Sequence, residues 1–289
     1  MSELSLLKVG TTERMGLGWE GIRCLARWAP AEPVKNAKVR GVRVASNLVP
    51  VVDGDTSPRA FVRDRQIEPG EGEIHLWEAP LEVPQEALTT MAETLDGGER
   101  TRAERYRFET HRRQYIAAHG ALRRILSQYA GLPPASIRYR YDAFGRPQLA
   151  PEMDPSGLDF SLSHSGELAI VAVAGSGRVG ADVEELRDLA WEYGLAGQIL
   201  SADEWSEWRR CPVQARTEAL LRLWTRKEAC LKADGLALRK DPRQVPVGLD
   251  FNLGSCWSCV RPFGHGGPRW AVCTLKLNPG YLASVAVAE

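Results

Sequence analysis

Twice along this chain a long helical stretch is closed by a glycine and followed by short strands, and no other feature restricts the fold as strongly. From Gly98 to Gly131, Tyr115, Ile116, Ala118, Leu122, Ile125 and Leu126 approximate helical spacing, and Gly131-Leu-Pro-Pro134 stops the run. A second strong helix is predicted from about Thr217 to Ala233, with Gly235 as its cap. Strand patterns follow the first helix at Ile137–Tyr141, Leu158–His164, Leu168–Ala174 and Arg178–Glu184, with a turn at Gly145-Arg-Pro147. After the second they fall near Leu249–Phe251, Trp257–Arg261, Trp270–Leu277 and Leu282–Ala288. A strand at Gly72–Trp77, a helix at Pro84–Leu95 and a helix-rich stretch at Leu186–Arg210 complete the pattern. The grammar is α+β in two similar lobes. An internal repeat of about 120 residues is not visible in the residues themselves.

The chain is long enough to bury a large core or two small ones, at 289 residues. Thirty-seven basic residues balance thirty-seven acidic ones, so no global field draws it to nucleic acid or to an anionic membrane. No stretch nears the roughly 18 apolar residues of a spanning helix, and Met1–Gly16 lacks a basic-then-apolar leader pattern, so a cytoplasmic location is expected. Residues 1–72 are poorly periodic and read as an N-terminal extension, partly disordered, with at most a short hairpin. The six cysteines are scattered. Cys256 and Cys259 would take opposite faces of a strand, and no second close pair completes a zinc set with His265 and Cys273.

Three blocks carry chemistry. In Val179–Glu184, strand alternation puts Asp182 and Glu184 on one face. In Trp224–Lys232, helical spacing puts Glu228 and Lys232 on one face. A D-x-E pair alone ordinarily marks a solvated strand face, but three hard oxygen ligands beside an ammonium suit Mg²⁺ gripping a phosphate or pyrophosphate. Phe160-Ser-Leu-Ser-His-Ser-Gly166 offers hydroxyls and an imidazole at a strand end, although a lone His164 reads first as a structural histidine. The G-x-S-x-G elbow is not matched, which argues against a serine hydrolase. Between Glu99 and Arg146 eleven arginines face four acids, a local excess that favours a ligand carrying several phosphates.

These blocks resemble those of the 4′-phosphopantetheinyl transferases of the large, single-chain Sfp type. The family pattern of a G-K/R-P turn, F-N/S-L/I-S-H-S-G, G-I/V-D-I/V-E and W-S/T-x-K-E-A-x-x-K-x-x-G is matched by Gly145–Pro147, Phe160–Gly166, Gly180–Glu184 and Trp224–Gly235. Ala181 departs from the usual Ile or Val, and Asp234-Gly235-Leu236-Ala237 lacks a second glycine, so the loop after the helix differs. The resemblance covers about Glu73 to Glu289 and leaves the N-terminal extension outside.

The resemblance implies two pseudo-symmetric α+β lobes with the active site between them: 73–168 as the first lobe, on the nucleotide side of coenzyme A, and 169–289 as the second, on the metal and catalytic side. It implies transfer of the 4′-phosphopantetheine arm from coenzyme A to a serine of an apo acyl or peptidyl carrier protein, releasing 3′,5′-ADP. Mg²⁺, with Mn²⁺ as second choice, would be held by Asp182, Glu184 and Glu228, with Glu228 or Lys232 as base or pyrophosphate contact. Arg146, Ser163 and His164, and more weakly Arg102, Arg105 and Arg113, would contact the coenzyme. Glu204 would hold a water near the metal, Lys227 would matter less, and tryptophans of Leu186–Arg210 would dock the carrier or pack internally. A monomer is expected, with no nucleic acid and no membrane as partner. The competing readings are a metal-dependent pyrophosphatase or phosphodiesterase on coenzyme-like dinucleotides, and a silent carrier-binding scaffold.

Overall fold

The structure, a computed structural model, describes residues 41–45, 68–69, 72–154, 157–189, 191–235, 240–249, 257–261, 267, 269–277 and 280–288. The chain runs through β1 (Gly41–Ala45), β2 (Glu73–Pro80), α1 (Gln85–Thr94), α2 (Gly97–Glu104), α3 (Glu109–Ala130), β3 (Tyr139–Tyr141), β4 (Pro147–Leu149), β5 (Asp159–Ser165) and β6 (Leu168–Ala174). It continues through β7 (Val179–Glu185), α4 (Glu192–Ile199), α5 (Ala202–Arg210), α6 (Val213–Asp234), β8 (Ser258–Val260), β9 (Trp270–Leu277) and β10 (Tyr281–Ala288). The first sheet has the order β1-β2-β6-β5 and the second β7-β10-β9-β8, while β3 and β4 form a small hairpin. All pairings are antiparallel except β1 with β2.

The two sheets lie face to face with a helix layer outside each. Alternation along β6 shows this arrangement. Ala169, Val171 and Val173 pack toward α1 and α3, with Leu88, Ile116, Leu122 and Ile125. Ile170, Ala172 and Ala174 face the other way, onto Val179, Ala181 and Val183 of β7 and Ala283 and Val285 of β10. A strand buried on both faces needs an unbroken apolar sequence, and Leu168–Ala174 supplies one. On the far side α6 packs with Trp208, Trp270, Val272 and Ala286.

Most predicted elements lie within one or two residues of the observed ones, and β6 matches throughout. Three differ. The helical run Gly98–Gly131 is two helices, because every residue from Glu104 to Thr110 is exposed and no apolar stripe holds the chain straight there. The sheets part at 175–178, not at the expected 168/169, since β6 is hydrogen-bonded between β2 and β5. Within the N-terminal extension, the apolar piece around Val42 and Val44 forms β1, a parallel strand on β2, and the other piece, 48–52, lies outside the described residues. The strand expected at Leu249–Phe251 lies outside the described residues beyond Leu249, as do Cys256, His265 and the loop 236–239. No helix among the described residues is long and apolar enough to cross a membrane.

Candidate active site between the two sheets

β5 and β7 are the edge strands of their sheets, and they meet without forming a ladder. Side chains on one face of β5 serve the edge of β7 instead. The Val179 amide donates to Asp159 Oδ2 at 2.7 Å, the Ala181 amide to Ser161 Oγ at 3.0 Å and the Glu185 amide to Ser165 Oγ at 3.3 Å. Edge amides that would otherwise lack partners are thereby satisfied. Ser163, in the same row, does something else. Its hydroxyl donates to Asp182 Oδ1 at 2.7 Å and accepts from Lys232 Nζ at 2.8 Å.

The alternate residues of β7 point to α6. Gly180 is where the helix touches the strand: a Cβ there would collide with the Ala229 carbonyl and the Ala233 amide. Asp182 is buried, and its Oδ1 also accepts from Lys232 Nζ at 2.6 Å. Glu184 accepts from Ser165 Oγ at 2.6 Å and from Trp224 Nε1 at 3.3 Å. Trp224, Glu228 and Lys232 recur every four residues along α6, which makes one helical row. Trp224 reaches Glu184 and Lys232 reaches Asp182, so buried Glu228 stands between them on that row. α6 reaches this far because Gly235 caps it in the left-handed conformation.

Among the described residues no three of His, Cys, Asp and Glu are drawn together as a group able to hold a metal ion. The chemistry of the donors nevertheless fits a hard divalent cation. Three carboxylates share the seam of β7 and α6, and buried Asp182 Oδ2 has no hydrogen-bond partner among the described residues. The Lys232 ammonium is paired with the other oxygen, Oδ1.

The structure thus brings together Ser163, Asp182, Glu184, Glu228 and Lys232. Other expected residues lie elsewhere. His164 is on the opposite face of β5, the side of Phe160 and α3. Arg102 and Arg105 are exposed at the end of α2, with Arg102 over the Tyr115 ring at 5.9 Å. Arg113 is tied to Gln85 Oε1 and the Val83 carbonyl, so its fork is spent on the start of α1. Arg146, expected on the coenzyme, instead donates to Asp159 Oδ2 at 2.6 Å and to three backbone carbonyls. Burial pushes the Asp159 carboxyl up, and Arg146 pulls against that shift without cancelling it.

Glu204, expected to hold a water near a metal, is bound to Lys227 instead, and the Lys227 ammonium is enclosed with it. Lys227 is fully buried, and Nζ donates to Glu204 Oε2 at 2.6 Å and to the Pro242 and Val245 carbonyls. Glu204 also accepts from the amides of Ser201 and Val247, and despite burial these bonds and Lys227 hold its carboxyl below the usual range. Trp208 belongs to the core, whereas Trp191 and Tyr193 are about half exposed, at 53% and 52%. Sequence reasoning missed Ser165, Trp224 and Asp159. The alternating serines of the 160–166 block were the available signal.

Two family descriptions match the chain. "4′-phosphopantetheinyl transferase, N-terminal" covers residues 80–176, and "4′-phosphopantetheinyl transferase superfamily" covers 178–274. They meet where the sheets part. The 4′-phosphopantetheinyl transferase HetI of Nostoc sp. is 39% identical over 216 residues, covering 75% of this chain and 88% of the relative. The transferase psf-1 of Bacillus pumilus is 31% identical over 197 residues, with 66% and 77% covered. The transferase Sfp of Bacillus subtilis is 27% identical over 170 residues, with 58% and 70% covered.

Proposed function

The chain belongs to the 4′-phosphopantetheinyl transferases of the single-chain Sfp type, and from that premise we propose that it moves the 4′-phosphopantetheine arm of coenzyme A onto a serine of an apo acyl or peptidyl carrier protein. A bond forms between the carrier serine oxygen and the β-phosphorus of the pyrophosphate. The bond from that phosphorus to the bridging oxygen breaks, and 3′,5′-ADP leaves. The serine proton passes to the Glu228 carboxylate while Lys232 stays an ammonium, or to Lys232 in its neutral amine form.

The observation that carries the reading is the convergence of Lys232 Nζ, Asp182 Oδ1 and Ser163 Oγ within hydrogen-bond distance at the seam of the sheets. Lys232 is the mobile cation of this cluster and can leave Asp182 for a phosphate oxygen as charge grows there. Ser163 holds the Asp182 carboxylate in one orientation, and Ser165 and Trp224 do the same for Glu184. Asp182, Glu184 and Glu228 would hold Mg²⁺, or Mn²⁺ in its place, and the bound ion would neutralise pyrophosphate charge. Arg102, Arg105 and His164 supply donors for the nucleotide end of the coenzyme, which carries about four negative charges. We place the activity in the cytoplasm, in a monomer.

The test is mass spectrometry of apo peptide-synthetase, polyketide and fatty-acid carriers incubated with coenzyme A and Mg²⁺. A mass gain of one phosphopantetheine arm on the carrier serine is the expected result. Cleaved coenzyme with an unmodified carrier would mean a pyrophosphatase, and binding with neither change would mean a silent scaffold.

A further inference from the structure

We infer that Arg146 is a positioning residue: it holds the last turn of α6, and with it Lys232, in register with β5 and β7. The argument starts from the fork of the guanidinium. Nη2 donates to Asp159 Oδ2 at 2.6 Å, to the Phe160 carbonyl at 3.2 Å and to the Val179 carbonyl at 2.6 Å, while Nη1 donates to the Ala233 carbonyl at 3.3 Å. Asp159 and Phe160 are on β5, Val179 on β7 and Ala233 on α6. Those same three elements supply Ser163, Asp182 and Lys232. One cation therefore joins at their base the three segments that the Lys232 ammonium joins at the reacting end.

The join is made where α6 most needs it. The last carbonyls of a helix have no partners within it and carry the negative end of its dipole. Here the Ala233 carbonyl accepts from Arg146 and the Asp234 carbonyl from Arg178 Nη1 at 2.7 Å. Lys232 immediately precedes them. Arg146 is itself presented by a tight turn in which Asp142 Oδ1 accepts from the amides of Phe144 and Arg146 at 2.8 and 3.0 Å. The side chain is 9% exposed, and its two Nη groups are turned to acceptors on β5, β7 and α6. A lysine offers a point charge in place of the planar fork and cannot span the same four acceptors.

The inference rests on the transferase reading for its kinetic arm alone. Arg146→Lys is assayed with coenzyme A and with dephospho-coenzyme A. Loss of register lowers kcat about 10- to 100-fold for both, since small misplacements of reacting groups cost that much. KM for coenzyme A and the preference between the two coenzymes change less than about twofold. A rise in KM confined to coenzyme A would show a 3′-phosphate contact and overturn the inference. The second arm needs no substrate. Lys232 is acetylated with acetic anhydride in the free protein and followed by peptide mass spectrometry. Freed from its place on Asp182, it reacts at least about threefold faster in Arg146→Lys. A lower Tm with unchanged Lys232 reactivity would mean structural support only, and would overturn the inference. Should Arg146→Lys fail to fold, the pair Arg146→Met with Asp159→Asn removes the buried cation and anion together. Low kcat and fast labelling in that pair support the inference, and wild-type values for both refute it.

Discussion

The two outer helices are built alike and used differently. α3 and α6 each have 22 residues and each end on a left-handed glycine, Gly131 and Gly235. In each, the fifteenth residue, counted from Glu109 and from Val213, is a fully buried cation: Arg123 and Lys227. Each cation lies 2.6 Å from the glutamate of a capping box that opens the preceding short helix, Glu99 with Asp96 and Glu204 with Ser201. Each also donates to carbonyls of the following loop: Pro134 and Ile137 for Arg123, Pro242 and Val245 for Lys227. What occurs in both lobes holds each long helix to its short helix and its loop. What occurs in one lobe is free for chemistry. One residue after the cation stand Arg124 and Glu228, and four residues later Gln128 and Lys232. The second lobe carries the proposed reactive pair, Glu228 and Lys232, on a scaffold that the first lobe keeps plain.

Breaking a buried pair should have the largest effect, and should cost the same in either lobe. Arg123→Met strands Glu99 and Lys227→Met strands Glu204, each a loss of about 3–5 kcal/mol. Urea unfolding measures it. Lys227→Met with native stability and no transfer would return Lys227 to the reaction and end the comparison.

Next come the carboxylates found in one lobe. Asp182→Asn and Glu184→Gln keep volume and remove an ionised ligand. They should lower kcat about 10²–10³-fold with little change in the unfolding midpoint. Near-normal turnover in Mg²⁺ would remove these residues from the metal site. The reactive row gives the matched contrast. Lys232→Ala should lower kcat about 100-fold with modest change in coenzyme affinity, because phosphate charge grows toward the transition state. Lys232→Arg should rescue it only in part. The counterpart Gln128→Ala should stay within about 0.5 kcal/mol of native stability with native kcat. A strong kcat defect there would mean that the first lobe also carries chemistry.

Periodicity revealed the strands and the long helices because burial on one or both faces leaves its period in the sequence. It also placed Asp182 with Glu184 and Glu228 with Lys232. It separated Lys232 from Lys227 by helix face, but it could not show that Lys227 is enclosed with Glu204, which only burial reveals. The internal duplication had a legible trace: Asp96-x-x-Glu99 and Ser201-x-x-Glu204 are capping boxes, and each precedes its buried cation by one short helix and half a long one. A period of about 120 residues misses it, because the matching capping boxes are 105 residues apart and the matching buried cations and glycine caps 104 apart. Arg146 was legible only in part. Its motif predicts a ligand contact, and only the fold shows that β5, β7 and α6 converge on its side chain.

The smallest expected effect is a difference in pH dependence. Burial alone would raise the Glu99 carboxyl, but the hydrogen bonds from His119, the Asp96 amide and Arg123 outweigh it, so its value is below the usual 4.5. Glu204 is also depressed, by Lys227 and by the amides of Val247 and Ser201. A carboxylate depressed in the folded state contributes stability that is complete above the unfolded value and is lost as pH falls through the folded one. Both lobes should therefore weaken below about pH 4.5. Glu99→Gln and Glu204→Gln should each flatten the slope of unfolding free energy against pH in that window, measured by urea titration at successive pH values. The buried partners separate the lobes at the other end of the scale. Burial lowers the Lys227 ammonium below its usual 10.5, and Glu204 pulls against that shift without cancelling it. A cation depressed in the folded state costs stability that is regained as pH rises from the folded value toward the unfolded one near 10.5, so Lys227→Arg should flatten the slope of unfolding free energy against pH just below that value. An unchanged alkaline limb in Lys227→Arg, or unchanged acid slopes in both glutamine variants, would show that the two buried pairs do not titrate as their surroundings require.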